Sequence, residues 1–143
     1  CALPILLKQG GAEFVSLQYK DAAAEIDEFR KEHPEIDLHQ YPHGTLTKDY
    51  DDTAAMVNSL DRVVCMQTAV AHLAGALGVE CDVFVPKNSQ WRYGEDFTTI
   101  PWYSSVRVIR QKSRGKWENE IHEYAKSKST GLGQLPDLRV ASA

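Results

Sequence analysis

Along the 143-residue chain, short apolar runs alternate with segments whose apolar positions recur every three or four residues. Glu13 to Tyr19 (EFVSLQY) is a run of strand formers. From Asp21 to about Lys31, Ala23, Ile26, Phe29 and Arg30 mark one face and the rim of a helix that Asp21 caps and Pro34 stops. Ile36 to Tyr41 alternates apolar and polar residues as a second strand would, and Pro42, His43 and Gly44 open a loop reaching Asp51. Asp52 or Thr53 is expected to cap the next helix, which turns Ala55, Met56, Val57 and Leu60 inward. After a minimal break at Asp61, Arg62 to Met66 reads as a strand covered on both faces. Thr68 then caps a helix whose buried stripe is Val70, Leu73, Ala74 and Leu77. Glu80 to Val85 is a fourth strand ending at Pro86, and an aromatic loop runs to Tyr103 before the strand Val106 to Arg110. The last helix, Lys116 to Lys128, carries Trp117, Ile121 and Tyr124 on one side, and Gly131, Gly133 and Pro136 mark residues 129–143 as a poorly ordered tail.

Strands alternating with helices at this spacing predict an α/β domain over residues 1–128. Its expected form is a three-layer, Rossmann-like open parallel sheet with helices on both faces. The loops after Gln18, Tyr41, Met66 and Val85 are then expected to open on one edge, where such sheets bind ligands. A hydrophobic content of 43% is enough for one core. The net charge of −4 gives no global attraction for nucleic acid or an acidic membrane, so a bound anion must be held by local geometry. No apolar run approaches the roughly 20 residues that cross a bilayer, which makes a cytoplasmic location the expectation. Cys1, Cys65 and Cys81 cannot all pair, in keeping with a reducing compartment.

The strand-to-helix turn before Thr68 carries the candidate chemistry. The amides of Ala69, Val70 and Ala71 should point out of the helix end, where the macrodipole adds roughly half a positive charge, and His72 projects from the same side as Thr68. Such turns also occur where nothing binds, so the pattern permits an anion without requiring one. Arg92, Arg107 and Arg110 could reach phosphate, although pairing with nearby acids is the simpler role for the last two. Tyr41 and the following loop could lodge a base, and Asp52 and Thr53 could touch ribose, with helix capping the simpler alternative. Trp91, Tyr93, Trp102 and Tyr103 suit packing of the long loop better than a stacking platform. His33, His39 and His43 lack the spacing of a closed metal site, so no metal is expected.

Several strings, FVSLQ (14–18), DDTAAMVNSLDRVV (51–64), TAVAHLAGALG (68–78), QWRYG (90–94), PWYSSVRVIRQ (101–111) and GKW (115–117), occur in this order. Together they resemble the carboxyl-terminal domain of GT-B glycosyltransferases, most closely the heptosyltransferase-like enzymes found behind tetratricopeptide repeats. The resemblance implies a donor-binding domain. A nucleotide-diphosphate sugar would rest its diphosphate on Thr68, Ala69 and Val70 beside His72, its sugar near Gln67 and its nucleotide among Gln18, Tyr41, Asp52 and Thr53. No divalent metal is needed in that architecture. The acceptor and the catalytic base would come from an amino-terminal domain outside this chain, so the isolated chain is expected to bind donor and to transfer little; its own catalytic residues are unassigned. Relatives carry aspartate where this chain has Gln67, and proline where it has Cys81. These departures leave open a catalytically degenerate domain serving as a nucleotide-binding or protein-interaction module. The family's first strand precedes FVSLQ, and only Cys1 to Lys8 stands in that region, so an open sheet edge that pairs with a second copy is a further expectation.

Overall fold

Alternation within the strands decides which side chains enter which layer. The computed structural model describes residues 12–95, 98–132 and 138–142, the side chains from 129 onward excepted; Cys1 and the stretch to Lys8 lie outside the described residues. The strands are β1 (Ala12–Ser16), β2 (Leu38–Gln40), β3 (Arg62–Met66), β4 (Glu80–Val85), β5 (Thr99–Ile100), β6 (Tyr103–Arg110) and β7 (Leu138–Ser142). They form one sheet in the order β2-β1-β7-β3-β4-β6-β5, parallel at every pairing except β5 with β6. The helices are α1 (Ala23–Glu32), α2 (Pro42–Thr45), α3 (Tyr50–Asn58), α4 (Ala69–Leu77) and α5 (Glu118–Leu132).

On one face of the sheet Val15, Val63, Cys65, Val83 and Val106 pack with Val57 of α3 and Val70, Ala71 and Ala74 of α4. On the other face Phe14 and Leu38 meet Ile26 of α1, while Val64 and Phe84 meet Ile121 and Tyr124 of α5. The chain is therefore an α/β domain with a predominantly parallel sheet between two helical layers, in keeping with strands whose buried positions on both faces are mostly apolar. Cys65 and Cys81 are buried free thiols with sulfurs 3.9 Å apart, and they serve as small core residues. Gly75 lets α4 approach β6 closely, since a Cβ there would stand 2.4 Å from the Tyr103 ring.

Four elements differ from expectation. The loop opened by Pro42 contains α2, a single turn with proline in its first turn, where its missing N–H costs nothing. The next helix starts earlier than expected: Asp49 caps it by accepting from the Asp51 amide at 3.0 Å, so neither Asp52 nor Thr53 is the cap. The aromatic loop includes a 3-10 turn at Trp91–Tyr93 and strand β5. The segment expected to be a tail holds the end of α5 and strand β7, which lies between β1 and β3 and pairs with both. The flank of β1 expected to be open is thus occupied, and among the described residues the edges of the sheet are the short strands β2 and β5.

Candidate functional site

The chain leaves β3 at Met66, turns through Gln67 and enters α4 at Thr68, which has the extended backbone of an N-cap. Its side chain does not cap, however, and Thr68 Oγ1 is buried without a hydrogen-bond partner. The Ala71 amide bonds the Thr68 carbonyl at 3.2 Å, so the donors left at the helix start are those of Ala69 and Val70, one fewer than the sequence suggested. At the other end of α4, Gly78 closes the helix in the left-handed conformation at φ 75°.

In front of this helix start lies a hollow of about 490 Å³. Gln67, Thr68, Ala69 and His72 line one wall; Gln90, Arg92 and Tyr93, from the loop after β4, line the opposite one, and Tyr50 of α3 also borders it. The walls are tied together at two points. Gln67 Oε1 accepts from the Gln90 amide at 3.4 Å, and the Tyr93 hydroxyl lies 3.4 Å from His72 Nε2. The rings of Tyr93 and Tyr103 stand 5.9 and 5.8 Å from the imidazole. Burial, with the nearby Arg92 charge, lowers the pKa of His72 below its ordinary value, so the imidazole is neutral at pH 7. Burial pushes the Tyr93 phenol up to about 12, which keeps its hydroxyl protonated.

The residues expected to share one crevice occupy three hollows. Gln67, Thr68, Ala69 and His72 meet in the hollow just described. Gln18 lines a smaller one, about 220 Å³, between the loop after β1 and the start of α4, which reaches Thr68 and Val70. The Val70 side chain itself is buried, so only its amide can serve a ligand there. Tyr41 and Asp52 line a third, about 410 Å³, together with His39, His43 and Glu13. Thr53 lines none of these: its hydroxyl donates to the Gly44 carbonyl at 2.8 Å and fastens α2 to α3.

The arginines separate in the same way. Arg107 Nε bonds Asp82 at 2.7 Å. Arg110 donates to Ser89 Oγ at 2.7 Å and to the carbonyls of Tyr93 and Gly94 at 2.8 and 3.0 Å, which clamps the loop after β4. Arg92 remains in the hollow, its Nε buried without a partner. Of the three histidines weighed as metal ligands, His33 lies 3.5 Å from Glu35, His39 lies 2.9 Å from Asp37, and His43 stands edge-on to Tyr41. Sequence reasoning missed the wall formed by Gln90 and Tyr93, because their approach to Gln67 and His72 depends on the 3-10 turn and the Arg110 clamp. Among the described residues no helix is long and apolar enough to cross a membrane.

No family model matches the chain. It is similar to Protein FlbA of Caulobacter vibrioides, with 35% identity over 113 residues; the match covers 79% of this chain and 18% of the length of that protein.

Proposed function

We propose that the chain is the donor-binding domain of a GT-B glycosyltransferase and holds a nucleotide-diphosphate sugar at the start of α4. The observation that carries this reading is the hollow in front of Thr68, lined by Ala69 with its free amide, by Thr68 with its unpartnered hydroxyl and by His72. Its place in the sheet supports it. Strand order runs outward from β1 to β2 on one side and from β3 through β4 to β6 on the other, so the loops after β1 and β3 flank the point where the winding reverses. Ligands of doubly wound sheets bind at the carboxyl ends of strands at that point. The start of α4 stands between two hollows there, one reaching Gln18 and the other reaching Gln67 and His72.

In this reading the diphosphate accepts from the amides of Ala69 and Val70 and from the Thr68 hydroxyl. His72 supports the charge that grows on the departing diphosphate, and Gln67 faces the donor sugar. Donors fixed in position before the reaction stabilise that charge without a metal ion. The acceptor and the base that activates it belong to a domain outside this chain, which leaves the isolated chain a binder with little transfer activity.

One observation favours the alternative, a degenerate domain kept for nucleotide binding or protein interaction. Gln67 is uncharged, and its oxygen is engaged by the Gln90 amide, so it cannot offer an oxocarbenium-like centre the support of a carboxylate. A thermal-shift series with ADP, CDP, GDP and UDP and their sugar conjugates tests binding. One nucleotide should raise the melting temperature, since a ligand that binds only the folded chain at about 100 times its Kd adds about 2.7 kcal/mol. Replacing Thr68 or His72 with alanine should weaken that ligand about tenfold or more, as expected for hydrogen bonds to charged groups. Absence of stabilisation by every member of the series defeats the proposal.

A further inference from the structure

We infer that Arg92 is the fixed cation of the hollow before α4 and pairs with the diphosphate of the bound ligand. This inference rests on the donor-binding reading and adds a residue to which that reading gives no role.

The first ground is the charge of the lining. Among the described residues, those around this hollow include Arg92 and His72 and no acidic side chain, in a chain whose net charge is −4. The hollow beside Tyr41 differs, for Glu13 and Asp52 line it. A cavity with a guanidinium and without a carboxylate selects anions against the overall charge of the molecule.

The second ground is the state of the guanidinium. Arg30, Arg62, Arg107 and Arg110 all spend donors on carbonyls, a hydroxyl or carboxylates of the fold. Arg92 Nε is shielded from solvent and has no acceptor. Removing a charged donor from water without giving it an acceptor is costly, and an anion in the hollow that Arg92 lines would offset the charge of this guanidinium. Thr68, which lines the opposite wall, likewise has a buried hydroxyl without a partner.

The third ground is rigidity. Arg110 from β6 grips Ser89, Tyr93 and Gly94, residues on both sides of Arg92, and the Gln90 amide is tied to Gln67. The backbone that carries Arg92 is therefore held before any ligand arrives. A planar guanidinium held in this way can donate in parallel to two phosphate oxygens, which a lysine ammonium cannot do.

The test is isothermal titration of the 143-residue chain with inorganic pyrophosphate and with ADP, CDP, GDP and UDP, comparing the native chain with Arg92→Ala and Arg92→Lys. The native chain should bind pyrophosphate and at least one nucleoside diphosphate. Arg92→Ala should weaken both by tenfold or more, with the lysine variant between the two, as expected when a charge-assisted hydrogen bond is lost. A nitrogen-15 spectrum of the native chain gives a second reading that needs no variant: the Arg92 Nε–H resonance should move downfield as pyrophosphate is added. If the native chain binds but Arg92→Ala binds within twofold of it, or the Arg92 resonance stays in place at saturation, the role given to Arg92 is wrong and the donor-binding reading survives. If the native chain binds neither pyrophosphate nor any of the nucleotides, both fall.

Discussion

A neutral imidazole beside a guanidinium, in a hollow without carboxylates among the described residues, makes His72 a reporter of what occupies the site. Its folded pKa lies below the ordinary value of about 6.5, so between those two values the unfolded chain holds a proton that the folded chain lacks. The contribution of His72 to stability is thus present above about pH 6.5 and is lost as pH falls through the folded value. Histidine proton resonances followed by NMR against pH should give a midpoint for His72 below 6.5. Arg92→Ala should raise that midpoint without restoring it fully, because burial is the larger cause. Bound pyrophosphate should raise it further by favouring the imidazolium, and a midpoint unmoved by either change would show that neither charge reaches the ring. At this scale the sequence was informative. The spacing of Thr68 and His72 placed both on one side of a helix start, and both line the same hollow. Asp52 and Thr53 were harder, since Asp49, Asp51, Asp52 and Thr53 all suit a cap and only the fold chooses among them.

At the scale of elements, β4 and α5 are joined by one buried acid. Asp82 is 1% exposed and accepts from the Tyr124 hydroxyl at 2.7 Å and from Arg107, Arg62 and Lys128 at 2.7, 2.9 and 3.2 Å. Burial alone would raise its pKa, but the Tyr124 hydroxyl and the surrounding cations hold the carboxyl below the usual range. Burial, with the charge and hydrogen bond of Asp82, raises the Tyr124 phenol, which stays a donor throughout the ordinary pH range. Asp82→Ala leaves three cations clustered without their acid and should cost about 3–5 kcal/mol in urea unfolding, as removal of one partner from a buried ion pair does. The sign with pH follows from the lowered pKa. The contribution of Asp82 is present above the unfolded value of about 3.9 and disappears as pH falls through the folded one, so the alanine variant should lose less stability than the native chain on acidification below pH 4. Equal acid sensitivity in the two proteins would remove Asp82 as a cause. The sequence suggested an acid partner for Arg107 but not the rest of this cluster, since Arg62, Asp82, Arg107, Tyr124 and Lys128 come from four elements. By contrast β3, β4 and the Thr68 start of α4 were legible to the residue, because a short run rich in β-branched and apolar residues bounded by a cap or a proline leaves few alternatives.

Across the whole molecule, the strand that sequence reasoning overlooked is the one that joins the sheet. β1 pairs only with β2 and β7, and β7 in turn pairs with β3, so the backbone ladder from β2 to β6 is continuous only through Leu138–Ser142. A glycine- and proline-containing segment conceals such a strand, because its pairing is long-range and its local propensity is weak. Everything that lines the hollow before α4 is carried by α3, β3, α4 and the loop between β4 and β6, on one side of that junction, whereas the Gln18 and Tyr41 hollows depend on β1 and β2. Deleting the residues after Leu132 should therefore act unevenly. Amides of β1 and β2 should lose hydrogen-exchange protection by a hundredfold or more, the scale of about 3 kcal/mol in local opening, while those of β4 and β6 keep most of theirs because they still pair with one another and remain covered by α4. Uniform loss across all six remaining strands would mean that the sheet opens only as a whole. Unchanged protection in β1 would mean that α1 and the core around Phe14 and Leu38 hold that corner without a ladder to β3.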